Sequence, residues 1–232
     1  MKKLLLAAII SLSTVSTAAL AEIKVGIILG FTGPIESLTP AMRDGARLAF
    51  LEASNSGNLL DGETFTIVEG DSTCTDSAAA TAAAEQLVAD GVVAIMGADC
   101  SGVTKAINAS VAVPNGILMV SPSATSPALS KVPDSGTFWR TAPSDAKGGQ
   151  ILADIALDRG LTSVAITYEN SDYGKGLSEV FAGAFEAGGG TVTTNDPHEN
   201  GKGDYSAEVG VLASAGGDAL AVLGYLDQAG GK

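Results

Sequence analysis

Short runs of apolar and β-branched residues alternate along the chain with longer stretches in which apolar residues recur every three or four positions. The short runs are typical of buried strands, and the longer stretches are typical of helices with one apolar face. Between residues 41 and 53, for example, Met42, Ala46 and Phe50 fall on one helical face. The pattern predicts strands at 23–29, 64–69, 92–96, 117–121, 164–168, 191–195 and 219–224, and helices at 41–53, 77–89, 103–113, 145–158, 174–187 and 206–215.

Several of these helices carry local signals at their ends. Asp76 directly precedes the helix at 77–89, and a carboxylate in that place is predicted to cap its free backbone N–H groups. Pro114 follows the helix at 103–113 and is predicted to close it, because proline cannot continue the hydrogen-bond pattern of a helix.

The strict alternation of strand and helix, with nearly continuous apolar strands, predicts an α/β protein whose parallel sheets are covered by helices. The segment 122–145 interrupts this rhythm and is rich in Ser, Pro and Thr, with one extended run at 137–141. We therefore expect a domain crossing near 141–145, between an α/β unit at 22–142 and another at 143–232. The last predicted strand ends close to Lys232, so the second unit is expected to be incomplete, with the C-terminal part of the fold missing.

The N-terminus has the pattern of a secretory signal peptide. A basic pair, Lys2-Lys3, precedes a short apolar run at 4–10, and small residues lead to Ala19-Leu20-Ala21. The apolar run is far shorter than the roughly 20 residues that span a bilayer. We expect cleavage after Ala21, which removes 1–21 as a signal peptide, and a mature protein that is free in the periplasm.

Composition and charge exclude several classes of protein. Apolar residues make up 46% of the chain and aromatic residues 5%, which predicts an aliphatic core. The formal charge of −13 argues against a nucleic acid partner, because an acidic chain repels phosphate backbones. Two cysteines, Cys74 and Cys100, favour a disulfide in an exported chain. His198 is the single histidine, so a zinc site would lack its usual ligands, and no metal or cofactor is expected.

Candidate binding residues follow the predicted strands, where parallel sheets hold their ligands. Hydroxyl groups come from Ser101 after the third strand and from Ser123 and Thr125 after the fourth. Tyr173 and Tyr225 follow strands of the second unit. Together they suit an uncharged, hydrogen-bonding pocket. Alternatives remain for each: Ser101 is either a ligand residue or a helix cap, Thr125 a turn residue, and the tyrosines ordinary surface aromatics.

The sequence does not favour an enzyme. Ser101 lacks the G-x-S-x-G context of a nucleophile elbow, and the glycines of residues 26–33 do not form a dinucleotide fingerprint. His198 lies in a polar stretch and is predicted to be a solvated loop residue rather than a general base. A hydrolase that uses Ser101 therefore stands only as an alternative from another class.

Short motifs spread along the mature chain resemble those of the periplasmic leucine/isoleucine/valine-binding proteins, which serve branched-chain amino acid ABC importers. The matching pieces include Thr32-Gly33-Pro34, Cys100-Ser101, Ser121-Pro122-Ser123-Ala124-Thr125, Phe138-Trp139-Arg140-Thr141, Tyr173-Gly174 with Gly176-Leu177, and Gly203-Asp204-Tyr205-Ser206.

This resemblance implies a type I periplasmic-binding-protein clamp, in which two lobes of doubly wound parallel sheets close on a solute without catalysis. Ser101 would face the carboxylate of an amino acid, Ser123 would act through its backbone, and Thr125 through both hydroxyl and backbone. Tyr173 and Tyr225 would close over the ligand from the second lobe.

The resemblance also implies a Cys74–Cys100 disulfide beside the pocket. Leu38 lies in the first loop near the ligand side chain, where many relatives carry an aromatic residue. The ligand is expected to be an amino acid, branched-chain or otherwise hydrophobic. The partners are expected to be membrane permease subunits of an ABC importer, served by a monomer. The ligand-sensing module of a receptor is the alternative within binding proteins.

Overall fold

A computed structural model describes residues 22–225; the predicted signal peptide at 1–21 and residues 226–232 lie outside the described part. The strands are β1 (Glu22–Leu29), β2 (Thr64–Asp71), β3 (Ala94–Gly97), β4 (Leu118–Ser121), β5 (Phe138–Arg140), β6 (Ser163–Glu169), β7 (Thr191–His198) and β8 (Ala219–Leu223). The α-helices are α1 (Thr39–Asn55), α2 (Ser77–Ala89), α3 (Ser101–Ile107), α4 (Val113–Asn115), α5 (Asp145–Asp158), α6 (Asp172–Ala187) and α7 (Ser206–Ala215).

The strands form two parallel sheets, which confirms the predicted α/β class. The first sheet has the order β2-β1-β3-β4-β5, and the second has the order β7-β6-β8. Every pairing in both sheets is parallel. The carboxyl ends of the strands of each sheet therefore lie at one edge, and the loops that carry the candidate binding residues gather there.

The first sheet encloses an aliphatic core, as the low aromatic content predicts. Ile28, Leu87, Ile95 and Met119 are each almost fully buried within it. Gly26 on β1 leaves room for this packing, because a Cβ atom there would come within 3.0 Å of Leu87 Cδ1. The helices α2 and α3 thereby lie close against the sheet and fix the loops at its edge.

The second sheet has a separate core in which two aromatic rings are buried. Phe181 and Phe185 of α6 stack with their ring centroids 5.9 Å apart. Helix α5 approaches α6 closely at Gly149, where a Cβ atom would lie 2.7 Å from Val180 Cγ1. Gly149 is thus required for the contact between the two helices.

Local signals predict the helix ends well in several places. Asp76 accepts hydrogen bonds from the N–H groups of Ala78 and Ala79, so the predicted cap of α2 is confirmed. Helices α5 and α7 have the predicted bounds. Among residues 22–225, none of the helices combines the length and the apolar composition that a membrane crossing requires.

Three local predictions are wrong. The helix predicted at 103–113 starts earlier, passes through a π-helical turn at Asn108–Ala112 and continues as α4, so Pro114 lies inside it and Gly116, with φ 64°, ends it. The π turn accommodates the proline, because its missing N–H falls in the first turn of α4. Helix α6 begins at Asp172, which places Tyr173 in its first turn rather than in a loop.

The third wrong prediction concerns His198. This residue ends β7, is only 4% exposed, and its Nδ1 lies 2.9 Å from Thr167 Oγ1 of the neighbouring strand. Burial lowers the pKa of the imidazole, against the opposing effect of Glu208 and Glu199. The polar flanking sequence therefore hides a buried position on the strand.

Candidate functional site

A cavity of about 210 Å³ lies between the edges of the two sheets, and we refer to it as the inner cavity. Its walls are Ile35, Leu38, Met42, Asp99, Ser101, Ser123, Thr125, Asp145, Tyr173 and Tyr225. All six residues predicted to bind a ligand are among them, although they come from widely separated segments. The topology brings these segments together because each follows, or closely follows, the carboxyl end of a strand.

Ser101 does not cap a helix. It is the first residue of α3, and the preceding Cys100 makes no side-chain cap either. Its hydroxyl oxygen instead accepts the N–H of Ser126 at 3.1 Å, and the residue is 2% exposed. The capping interpretation is therefore wrong. The bond uses a lone pair of the oxygen and leaves the hydroxyl hydrogen free for an acceptor such as a carboxylate.

The loop after β4 is tied to the loop after β3. Ser123 donates its hydroxyl hydrogen to the carbonyl of Asp99 at 3.0 Å. Ser121 donates to the carbonyl of Ala98, and its oxygen accepts the N–H of Ala124 at 3.0 Å. These bonds occupy the Ser123 hydroxyl, so any contact of this residue with a ligand is left to its backbone.

Asp99 joins three loops of the first sheet and was not singled out from the sequence. Its carboxylate accepts N–H bonds from Gly30 at 2.7 Å and Cys100 at 2.9 Å, and a bond from Ser72 Oγ at 3.3 Å. Burial raises its pKa, and these hydrogen bonds oppose that effect. An acidic residue in a loop at the carboxyl edge of a sheet is the only sequence signal for this role.

The predicted disulfide between Cys74 and Cys100 is confirmed. The sulfur atoms are 2.03 Å apart, and both residues are buried. Cys74 follows β2 and Cys100 follows β3, so the bond links two further loops at the same edge. It lies directly before Ser101 and restrains the backbone there.

Tyr173 and Tyr225 form the opposite wall. Their rings stack with centroids 4.9 Å apart and planes 14° from parallel. Burial raises the pKa of both hydroxyl groups, so both are protonated donors at neutral pH. The N–H of Tyr225 donates to Glu169 Oε2 at 3.2 Å, which holds the end of β8 against β6. Both rings are half-buried, which favours their prediction as a cover over the cavity more than the surface alternative.

The inner cavity has one apolar side and one polar side. Ile35, Met42 and Leu38 form the apolar side, and Leu38 itself is 54% exposed at the rim. Hydroxyl and carboxyl groups form the polar side. No Lys, Arg or His lines this cavity, so Ser101 has no imidazole base within reach. Such a lining suits binding of a small amphipathic molecule rather than nucleophilic chemistry.

A larger cleft of about 600 Å³ adjoins the inner cavity at Tyr225, and we refer to it as the outer cleft. Its walls include the disulfide, Glu169 and Asp172. At its margin Lys105 Nζ of α3 lies 3.2 Å from Asp172 Oδ2 of α6, which joins the two sheets' helices by an ion pair. Within residues 22–225, no group of three or more His, Cys, Asp or Glu side chains is arranged to hold a metal ion.

Comparison with known proteins gives consistent matches. The family model for periplasmic binding proteins matches residues 22–230. A Leu/Ile/Val-binding protein homolog of Brucella melitensis is 32% identical over 93% of this chain. The match spans 58% of that relative, so the chain has less than two thirds of its length.

Solved structures share the fold. A leucine-binding protein from Thermotoga maritima has a TM-score of 0.77 at 27% identity, and the match covers 86% of this chain and 55% of that one. A solute-binding protein of an ABC transporter from Rhodopseudomonas palustris, in complex with p-hydroxybenzoic acid, has a TM-score of 0.75. That likeness covers 88% of this chain and 54% of the other at 23% identity, and it shows the fold alone.

Proposed function

Because the chain belongs to the periplasmic binding protein family and resembles its Leu/Ile/Val-binding members, we propose that it is the solute-binding component of an ABC importer. It captures a hydrophobic amino acid, branched-chain or of similar size, and hands it to membrane permease subunits. The relatives are binding proteins, and by the same proposal this chain is not an enzyme. It acts as a monomer in the periplasm after removal of a signal peptide at 1–21.

One observation carries this proposal: the inner cavity has the two chemical halves that an amino acid with an aliphatic side chain needs. Ile35, Leu38 and Met42 suit the side chain. On the other side, the free hydroxyl hydrogen of Ser101 suits a carboxylate, and the backbone of Ser123 together with the hydroxyl of Thr125 supplies further polar contacts. Binding energy then comes from apolar burial, with a few polar groups fixing the orientation.

Capture involves closure of two lobes, at 22–142 and 143–232, over the ligand. Contacts between the two sheets' elements support this mechanism. Gly176 of α6 sits so close to the segment after β4 that a Cβ atom would lie 2.9 Å from Pro127 Cδ and 3.0 Å from Ser126 Oγ. Together with the Lys105–Asp172 ion pair, this contact belongs to the closed form, and the ligand shifts the equilibrium towards that form.

Titration calorimetry with a panel of ligands tests the proposal. The panel contains leucine, isoleucine, valine, phenylalanine, glutamate and p-hydroxybenzoate. We expect an aliphatic amino acid to bind most tightly, and a ligand at 100 times its Kd to stabilise the chain by about 2.7 kcal/mol in thermal unfolding. Tight binding of p-hydroxybenzoate alone would contradict the proposed ligand, and binding of none of the panel would contradict the proposed function.

A further inference from the structure

The inner cavity holds a carboxyl group that no described contact neutralises. Asp145 is the first residue of α5, directly after the crossing between the two sheets, and it lines the cavity. Its Oδ2 atom is buried and has no hydrogen-bond partner in the described part of the chain. A buried charged oxygen without a partner is costly, so its partner is expected to come from the ligand.

The nearest cation is already engaged elsewhere. Arg140 of β5 donates to the carbonyl of Ala124 at 3.0 Å, to the carbonyl of Ser126 at 2.9 Å and to Ser130 Oγ at 2.7 Å. It forms no ion pair with Asp145 among residues 22–225. Its charge attracts Asp145 at longer range, but its hydrogen bonds hold the loop after β4.

The other ionisable groups around Asp145 increase the negative potential. Asp99 lines the same cavity, and Glu169 lies behind Tyr225. The negative charge of Asp145 contributes to the raised pKa of both Tyr173 and Tyr225, so Asp145 faces the two rings. Burial raises the pKa of Asp145 itself, while the nearby Thr125 hydroxyl and Arg140 oppose that effect.

We propose that Asp145 binds the ammonium group of the ligand and thereby selects amino acids over carboxylic acids of the same shape. The inference rests on the proposed function and narrows its ligand class. An ammonium group supplies three hydrogen-bond donors and a positive charge, which the lining residues of the inner cavity lack. The Asp145 N–H donates to the carbonyl of Thr125 at 2.9 Å, so the carboxylate is held beside the polar side of the cavity.

A cycle of two ligands and two proteins tests this role. The ligands are leucine and 4-methylpentanoate, which has the same carbon skeleton without the amino group; the proteins are the parent chain and Asp145→Asn. Asp145→Asn should weaken leucine binding about 10- to 150-fold, the range expected for a hydrogen bond to a charged group. It should leave 4-methylpentanoate binding unchanged or stronger, because that ligand has no cation to lose.

Asp154→Asn is the matched control. Asp154 lies on the same helix, bonds to exposed Gln150 at 2.9 Å and does not line the inner cavity, yet its substitution removes the same charge. Its affinity for leucine should equal that of the parent. Asp145→Glu keeps the charge and should retain more affinity than Asp145→Asn. Thermal unfolding of each variant shows whether it is folded.

The outcomes separate the inference from the proposed function. If the parent binds amino acids but Asp145→Asn binds leucine as tightly, Asp145 has no role at the ammonium group and only the inference falls. The same holds if the parent binds 4-methylpentanoate as tightly as leucine, a comparison that needs no variant. If the parent binds no amino acid, both proposals fall.

Discussion

The two walls of the inner cavity are built differently. The wall from the first sheet consists of loops that are fixed by a disulfide, by the three bonds to Asp99 and by the bond from the Ser126 N–H to Ser101. The wall from the second sheet consists of two stacked tyrosine rings, one on a helix and the other after a strand. The first wall is thus rigid and polar, and the second is aromatic.

This difference assigns a separate task to each wall in the proposed mechanism. Loops that are fixed before binding lose little conformational freedom when they engage the charged groups of a ligand, which favours affinity. Aromatic rings offer a broad apolar surface at low conformational cost and can cover ligands of slightly different shape. We therefore expect changes in the first wall to affect both stability and affinity, and changes at the contact between the walls to affect closure.

Removing the disulfide should produce the largest effect. In a Cys74→Ser/Cys100→Ser variant the free energy of unfolding should fall by about 3.5 kcal/mol, the chain-entropy estimate for a loop of about this length. Denaturant titration of the parent and the variant measures this difference. Reductant should destabilise the parent by a similar amount and leave the variant unaffected; equal stability of parent and variant would contradict a rigid first wall.

Ser101→Ala should affect binding and stability together. Loss of a hydrogen bond to the ligand carboxylate should weaken amino acid binding about 10- to 150-fold. Stability should fall by about 1–3 kcal/mol as well, because the buried Ser126 N–H loses its acceptor. Calorimetry and denaturant titration separate the two effects. Ser214→Ala, on the exposed face of α7, is the control; unchanged affinity of Ser101→Ala would remove Ser101 from the site.

Gly176→Ala tests the contact between the walls. The added methyl group would meet Pro127 and Ser126, and overpacking of this kind costs about 1–3 kcal/mol in the closed form. Ligand affinity should therefore fall about 5-fold or more, at about 1.4 kcal/mol per decade. Gly183→Ala lies on the same helix with open space at its Cβ and should leave affinity unchanged. Equal affinities for the two variants would count against closure at this contact.

The Lys105–Asp172 ion pair should contribute least. Both side chains are substantially exposed, so Lys105→Met should weaken binding by less than about 1 kcal/mol, and the effect should vanish at high salt. Arg47→Met breaks the Arg47–Glu69 pair, which lies wholly beside the first sheet, and should not change affinity at any salt concentration. A salt-independent loss in Lys105→Met would point to packing rather than charge.

Features with local signals could be predicted from the sequence. The bounds of α5 and α7 and the cap at Asp76 depend on residues within one or two turns of each other. The disulfide and the six binding residues followed from the position of each residue after a predicted strand, together with the family resemblance. Parallel topology then brought those positions to one edge, as a general property of such sheets.

Features that depend on distant partners could not be predicted. The bond from the Gly30 N–H to Asp99 crosses 69 positions, and the contact of His198 with Thr167 crosses 31. A polar sequence around His198 gives no sign of such a partner. The unpaired oxygen of Asp145 is likewise visible only when the whole cavity is assembled, because it depends on what Arg140 binds instead.

Small-angle X-ray scattering of the chain, with and without the amino acid that binds most tightly, tests the central mechanism most directly. Saturation is first established by calorimetry on the same sample. If the rigid wall and the aromatic wall close on one ligand, the radius of gyration should become smaller at saturation. An unchanged radius of gyration with the site fully occupied would contradict closure.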